Sequence, residues 1–331
     1  MRSAINGLSA RLGKDRSLVQ GPGGNVSWKD GVNLHVKASG TWLADAMERD
    51  IFVSLSLPDL HERMDRGEYA FTIDRESKPS LRPSIETALH AVLPHRVVAH
   101  VHPVDVIARS VRRGAQVTFA RLLEGLDWIW IDYAKPGEPL AKAMRTAAND
   151  MGSVPAVWVL ANHGLVVGAD DPAQAMRLVD EICVRVAISP RAAAFGPQLD
   201  ALQPWLEAGY RLPQDPVAHA PAFDALASEL ARRHWVMYPD QAVVLGACGV
   251  FDRGDGPDPR QLHPVAPVVV VPGAGVVLAE GANPACEAML VCYCEVLLRC
   301  DTADDIVSLT PEEINEIVHW DAEAFRRQLV R

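Results

Sequence analysis

Three histidines and one glutamate carry the chemistry this sequence offers. His100-Val101-His102 closes the valine-rich stretch 96–102. On a strand, side chains alternate between faces, so both imidazoles point the same way. Two neutral imidazoles side by side make half a site for zinc, manganese or a similar ion. Taken alone, such a pair is more often structural or exposed. His163 changes the reading: it lies in Asn162-His163-Gly164, just after the apolar run 157–160. Gly164 permits close backbone approach beside it. Three histidines at strand ends can complete a three-ligand site with an open position, the arrangement of a catalytic ion. Glu86 belongs to Arg82-Pro83-Ser84-Ile85-Glu86, which opens a predicted helix. The helix macrodipole favours an acid there whatever its role. Next to the histidines, the same carboxylate could move a proton.

The elements that must position these groups follow from periodicity. Residues 83–93 read as a helix, with proline suited to the first turn and Ser84 able to cap. Residues 96–102 read as a valine-rich strand, and 157–160 as another that delivers His163, with 165–167 continuing extended. Upstream, 1–20 is helical, and Gly21-Pro22-Gly23-Gly24-Asn25 makes a glycine-rich turn. Strands 26–28 and 33–37 are joined through Asp30-Gly31, a hairpin signal. Ser39-Gly40 ends the second of them, and 51–55 is a further strand. Helices are expected at 104–111 and 140–149, with a strand at 128–132 between them. A long helix at 172–188 places Ala175, Leu178, Val179, Ile182 and Val186 at helical spacing.

Prolines 197, 204, 213, 216 and 221 then change the character of the chain. The expected domains are 1–195, a proline-rich linker at 196–221, and a smaller α/β region at 222–331. In that region the reading is a helix at 222–234, a strand at 242–245, a polar loop at 252–263 and a strand at 265–271. A turn at 272–275, a strand at 276–279 and a helix at 284–300 follow. Thr310 with Glu313 forms a capping box, and Pro311 opens a last helix reaching 329. Gly273-Ala274-Gly275 after valines invites a dinucleotide reading. Leu278 occupies the third glycine position and the next helix begins too late, so a strand-to-strand turn is expected. No Cys-x-x-Cys pair occurs among the six cysteines. Cys286, Cys294 and Cys300 fit a packed helix as reduced, buried thiols. His234, His263 and His319 lack metal spacing and read as structural.

Several segments in this order resemble the class II aldolase/adducin family. They are Gly24-Asn25-Val26-Ser27, Ser39-Gly40, Pro83-Ser84-Ile85-Glu86 with His90, His100-Val101-His102-Pro103, and Asn162-His163-Gly164. The stretch from Tyr133 to Gly137, with Leu140-Ala141, is also similar, and the resemblance covers about residues 5 to 190. It implies a three-layer α/β/α fold with a mostly antiparallel central sheet, followed here by the smaller α/β region. It implies His100, His102 and His163 as metal ligands and Glu86 as the catalytic acid/base. Gly24, Asn25, Ser39, Gly40 and Ser84 match positions that bind the substrate's phosphate or carboxylate end. Lys37 and Arg82 flank these positions and could add charge. The implied cofactor is Zn2+, with Mn2+, Co2+ or another divalent ion as alternatives, and the implied assembly is a homotetramer with sites between subunits.

Two departures stand out. Ile85 occupies a position where sugar-phosphate aldolases of the family often carry a second serine. Residues 103–132 contain no tyrosine, where fuculose-phosphate aldolase has its second acid/base. The C-terminal third, from Tyr238 through Gly275 and at 319–326, resembles the region after the aldolase domain in bifunctional rhamnulose-phosphate aldolase/lactaldehyde dehydrogenases. The resemblance stops before their dehydrogenase part.

The expected activity is retro-aldol cleavage of a small sugar or ketose phosphate similar to rhamnulose 1-phosphate, through a metal-stabilised enediolate. Decarboxylation of a sugar-acid phosphate is the nearest alternative, and a non-catalytic scaffold as in adducin is the alternative of another class. A net charge of −10 argues against general nucleic-acid or anionic-membrane binding. The apolar runs are strand-length, too short to span a bilayer. Charges throughout the first 21 residues leave no apolar core for a secretory signal, and the expected location is cytoplasmic.

Overall fold

The computed structural model describes residues 1–69, 71, 81–192, 195–257 and 266–319. His263, the start of the strand expected at 265, the expected loop beyond 257 and the last helix beyond His319 lie outside the described residues. Two compact units emerge: Met1–Ser110 with Gly114–Ala187, and Val111–Arg113 with Ile188–Arg331. Among the described residues, no helix is long and apolar enough to cross a membrane.

In the first unit, helix α1 (Arg2–Lys14) precedes β1 (Asn25–Lys29), β2 (Asn33–Lys37) and β3 (Phe52–Ser56). Helices α2 (Leu57–Asp65) and α3 (Thr87–Val92) lead to β4 (Val97–Val101). Then come α4 (Val104–Ser110), α5 (Ala115–Leu122), β5 (Trp128–Ile131), α6 (Glu138–Asn149), β6 (Val157–Leu160), β7 (Gly164–Ala169) and α7 (Pro172–Val186). The seven strands form one sheet in the order β3-β2-β1-β4-β7-β6-β5. Every neighbouring pair is antiparallel except β5 with β6.

Strand alternation builds the layers. Val97, Ala99 and Val101 pack on one face with Ile5, Leu8 and Leu12 of α1 and Val179, Ile182 and Val186 of α7. Val98 and Val166 turn to the other face, with Leu89 of α3 and Leu140 and Met144 of α6. His100 shares the parity of Val98, so it lies on the face covered by α3.

The helix expected over 83–93 begins only at Thr87. Pro83 bridges Ala38 in extended pairing, and the Ser84 amide donates to Lys37 O at 3.2 Å. Residues 83 and 84 are thus drawn alongside the end of β2 and cannot join the helix. Glu86 becomes the residue just before the helix, and its side chain makes no cap hydrogen bond.

The second unit contains α8 (Leu199–Glu207), β8 (Tyr210–Arg211), α9 (Ala220–Phe223), α10 (Ala225–Arg233), α11 (Pro239–Leu245), β9 (Val250–Phe251), β10 (Val268–Val271), β11 (Gly275–Ala279), α12 (Pro284–Arg299) and α13 (Pro311–Val318). Its sheet runs β8-β11-β10-β9. The stretch expected to be a linker is folded: α8 buries Leu202 and Trp205 against Val269 and Val277 of the sheet. The strand expected at 242–245 is the last turn of α11. A four-residue apolar run has no period that separates strand from helix. Pro239 in the first turn and the Gln241 side chain, which accepts from the Met237 amide at 3.0 Å, start the helix. Gly273 sits in the tight turn of the β10–β11 hairpin, with Val271 paired to Gly275, as the strand-to-strand reading requires. Thr310 and Glu313 form the expected capping box on α13.

Candidate metal centre

The site grows from the meeting of β1, β4 and β7 with the start of α3. Asn25 pairs across the ladder with His100, and His100 with Val166 on the other side. The β6–β7 connection carries Asn162 at φ 52, a left-handed conformation that Asn tolerates better than most residues. That turn sets His163 down beside β4. Glycine is obligatory next to it. A Cβ on Gly164 would lie 2.5 Å from Val101 O, and one on Gly24, at φ +60, would lie 2.9 Å from His100 O. The two glycines let β7 and the turn before β1 close around the histidine strand. Behind that strand, the His102 amide donates to Leu18 O at 2.8 Å and Gln20 Nε2 donates to His102 O at 3.2 Å.

Three imidazole nitrogens converge. His102 Nε2 lies 3.0 Å from His100 Nε2, which lies 3.3 Å from His163 Nε2. Ligand atoms of all three lie within 4.8 Å of one another, and all three residues are buried. His100 Nδ1 faces Leu165 O at 3.0 Å. A carbonyl only accepts, so Nδ1 bears the proton and Nε2 offers its lone pair to the cluster. Glu86 Oε1 stands 3.5 Å from both His100 Nε2 and His163 Nε2. Oε1 is buried and accepts no hydrogen bond among the described residues.

This donor set fits a divalent cation. Nitrogen ligands at the usual zinc distance in a tetrahedral site lie about 3.3 Å apart. Without positive charge, three crowded imidazoles and a desolvated carboxylate oxygen would cost several kcal/mol, and one cation satisfies them together. Burial pushes the Glu86 carboxyl up. The charges of His100, His163 and His102 and a hydrogen bond from Asn25 outweigh it and hold Glu86 down at about 2. Positive charge on the three histidines, where they are protonated, therefore favours the ionised form of Glu86.

The remaining predicted positions divide. Ser84 Oγ accepts from the Glu86 amide at 3.2 Å and from Asn25 Nδ2 at 3.3 Å, which places Ser84, Asn25 and Glu86 in one group. Ser39 and Gly40 occupy a half-exposed turn whose Ser39 amide donates to Arg82 O at 2.8 Å, beside that group. Lys37 is buried, and its Nζ donates to Pro22 O at 2.9 Å, which fastens the glycine-rich turn. Arg82 is exposed.

A match to the Class II Aldolase and Adducin N-terminal domain spans residues 7–188, more than half of the chain. The chain belongs to the class II aldolase and adducin family. Members of this family are usually lyases, with decarboxylases and epimerases among them. A curated relative, the Uncharacterized oxidoreductase YuxG of Bacillus subtilis (strain 168), is 31% identical over 173 residues. The match takes in 47% of this chain and only 24% of that protein's length. Among solved structures, the N-terminal class II aldolase domain of a conserved Thermoplasma acidophilum protein is similar at 26% identity, covering 55% of this chain and 90% of that one with a TM-score of 0.46. The Klebsiella pneumoniae YgbL, a putative aldolase/epimerase/decarboxylase, aligns at 22% identity, covering 56% and 86% with a TM-score of 0.42.

Two buried residues at the centre went without a role in the sequence reading. His90 and Ser27 are both 0% exposed, and Ser27 Oγ lies 2.7 Å from His90 Nδ1. Burial above all, with His100 and Lys29 nearby, lowers His90 to about 3 against the opposing pull of Glu86, so the ring is neutral. One signal pointed to His90: it lies four residues after Glu86, the spacing that puts side chains on one helix face.

Proposed function

We propose that the chain is a divalent-metal lyase that breaks a carbon–carbon bond beside a carbonyl in a small sugar, with a ketose phosphate similar to rhamnulose 1-phosphate as the first candidate. The observation that carries this reading is the convergence of three buried imidazole nitrogens with one buried carboxylate oxygen that accepts no hydrogen bond among the described residues. His100, His102 and His163 would hold the ion, with Zn2+ favoured by an all-nitrogen set. A divalent ion there supplies Lewis-acid chemistry at a carbonyl oxygen. Glu86 moves the proton at the carbon that gains electron density on cleavage, through Oε1, the oxygen that faces the imidazoles. The hydroxyl that becomes the aldehyde must lose its own proton to another group. Residues 103–132 hold no tyrosine for this, so a neighbouring subunit of a homotetramer or the C-terminal part of the chain is the proposed source.

Donors suited to an anionic substrate end lie at the Gly24 backbone, the Ser39–Gly40 turn and Ser84. With Ile85 beside Ser84, a phosphate would be held by fewer hydroxyls. The name of the Bacillus relative describes a protein of which this chain matches a quarter, so it bears only on a longer arrangement of domains.

A panel of ketose phosphates, free ketoses and sugar-acid phosphates, assayed on the Zn2+-loaded protein, tests the reading. Aldehyde release from a ketose or its phosphate is the expected result. Carbon dioxide from a sugar-acid phosphate, without aldehyde from any ketose, would replace cleavage by decarboxylation. No product from any member, with metal bound, would count for the scaffold reading.

A further inference from the structure

Glu86 is held from behind by a chain of buried hydrogen bonds whose directions are all determined. A carboxylate only accepts, so Asn25 must turn its NH2 group to Glu86 Oε2, at 2.7 Å. The second hydrogen of that group goes to Ser84 Oγ at 3.3 Å. Asn25 Oδ1 then faces His90 Nε2, its other partner. An amide oxygen only accepts, so Nε2 carries the proton of the neutral ring. His90 Nδ1 is left with a lone pair, and Ser27 Oγ donates to it. Ser27, His90, Asn25 and Glu86 are all buried, so no solvent competes. The end of α3 is fastened as well: Lys29 Nζ donates to His90 O and His95 O, both at 2.9 Å.

We infer that Ser27, His90 and Asn25 form a positioning relay that fixes Glu86 Oε2 and leaves Oε1 aimed at the imidazole cluster. This rests on the proposed metal-lyase reading for what Glu86 does, and on the hydrogen bonds alone for how Glu86 is held. His90 acts through Asn25 and does not reach the reacting atoms. Without the Nε2 proton, nothing prevents the Asn25 amide from turning its oxygen toward Glu86, which would repel the carboxylate.

The test compares substitutions at one position in the full-length chain. His90→Gln keeps an N–H near the place of Nε2. His90→Asn keeps a polar group only near Nδ1, and His90→Leu keeps neither. Thermal melting confirms which variants fold. In the Co2+-loaded proteins, the visible spectrum of His90→Asn should move from that of the wild type toward that of Glu86→Gln, while His90→Gln should match the wild type. Turnover should fall about 10- to 100-fold in His90→Asn with KM within about threefold, and His90→Gln should restore most of it. A folded His90→Asn or His90→Leu with wild-type spectrum and turnover would overturn the relay. Failure of the metal reading is seen separately, as a wild type that binds no Co2+. The relay is then decided by nitrogen-15 shifts of the metal-free protein: a neutral His90 protonated at Nε2 supports it, and a ring protonated at Nδ1 overturns it.

Discussion

The molecule buries two sets of chemically capable side chains, and it treats them in opposite ways. In the first unit, three histidines and a glutamate turn their polar atoms toward one point. In the second, α12 and its C-terminal cap carry Cys286, Cys292, Cys294 and Cys300 with Tyr293, all buried and all dispersed into packing. Burial pushes the Cys286 and Cys292 thiols up to about 12, and Cys294 well above the ordinary thiol value. A thiol so raised is not a nucleophile at neutral pH. Residue type alone would have placed chemistry in both regions. What separates them is whether desolvated polar atoms share a partner: the histidine cluster asks for a cation, and the cysteines ask for nothing.

The comparison breaks first at Glu86. Glu86→Gln should retain the metal and lose turnover by about 10² or more, as expected for loss of a general acid/base. Steady-state kinetics beside metal analysis reads this, and unchanged turnover would remove Glu86 from the chemistry. Next comes Gly164→Ala, whose Cβ would collide with the Val101 carbonyl at 2.5 Å. Forcing the strands apart should cost about 1–3 kcal/mol in denaturant unfolding and weaken metal binding, because His102 and His163 flank the contact.

Lys29 gives a pH signature to the support behind the site. Burial lowers it to about 8. Below pH 8 both states carry the proton, and the folded state bears the full cost of a buried charge. Between pH 8 and the unfolded value near 10.5, the unfolded chain binds more protons, so this group makes stability rise with pH. The gain approaches about 3 kcal/mol at most. The difference in unfolding free energy between wild type and Lys29→Met, followed from pH 7 to 11, should show that rise, and a flat difference would contradict it. The smallest effect belongs to the cysteines. In the native protein a thiol reagent should label exposed Cys248 and leave Cys286, Cys292, Cys294 and Cys300 unreacted until denaturant is added. Rapid native labelling of Cys292 would dissolve the contrast between the two regions.

Much of this was legible in the sequence because it depends on local pattern. Valine-rich runs marked β4, β6 and β7, parity put His100 and His102 on one face, and Gly164 beside His163 announced a close approach. Glu86 was identified but misplaced. The pairing of Ala38 with Pro83, 45 positions apart in the chain, delays the helix, and no local propensity reports it. The hydrogen bonds that join Asn25 to Glu86 and His90 cross 61 and 65 residues, so no local pattern in the sequence reports them. The apolar run 242–245 was too short to show a period, and its helix is started by Pro239 in the first turn and the Gln241 side chain. The proline-rich stretch read as a linker because prolines punctuate loops. Here Pro204 lies inside α8, and Pro216 and Pro221 sit in the first turns of short helices.

The most direct measurement is the metal content of the purified chain after reconstitution with Zn2+ and removal of excess ion. The account predicts one tightly bound ion per chain in the wild type and its loss in a folded His163→Ala variant. A wild type that holds no divalent ion, or a His163→Ala protein that binds it equally well, would contradict the claim that these imidazoles share a cation.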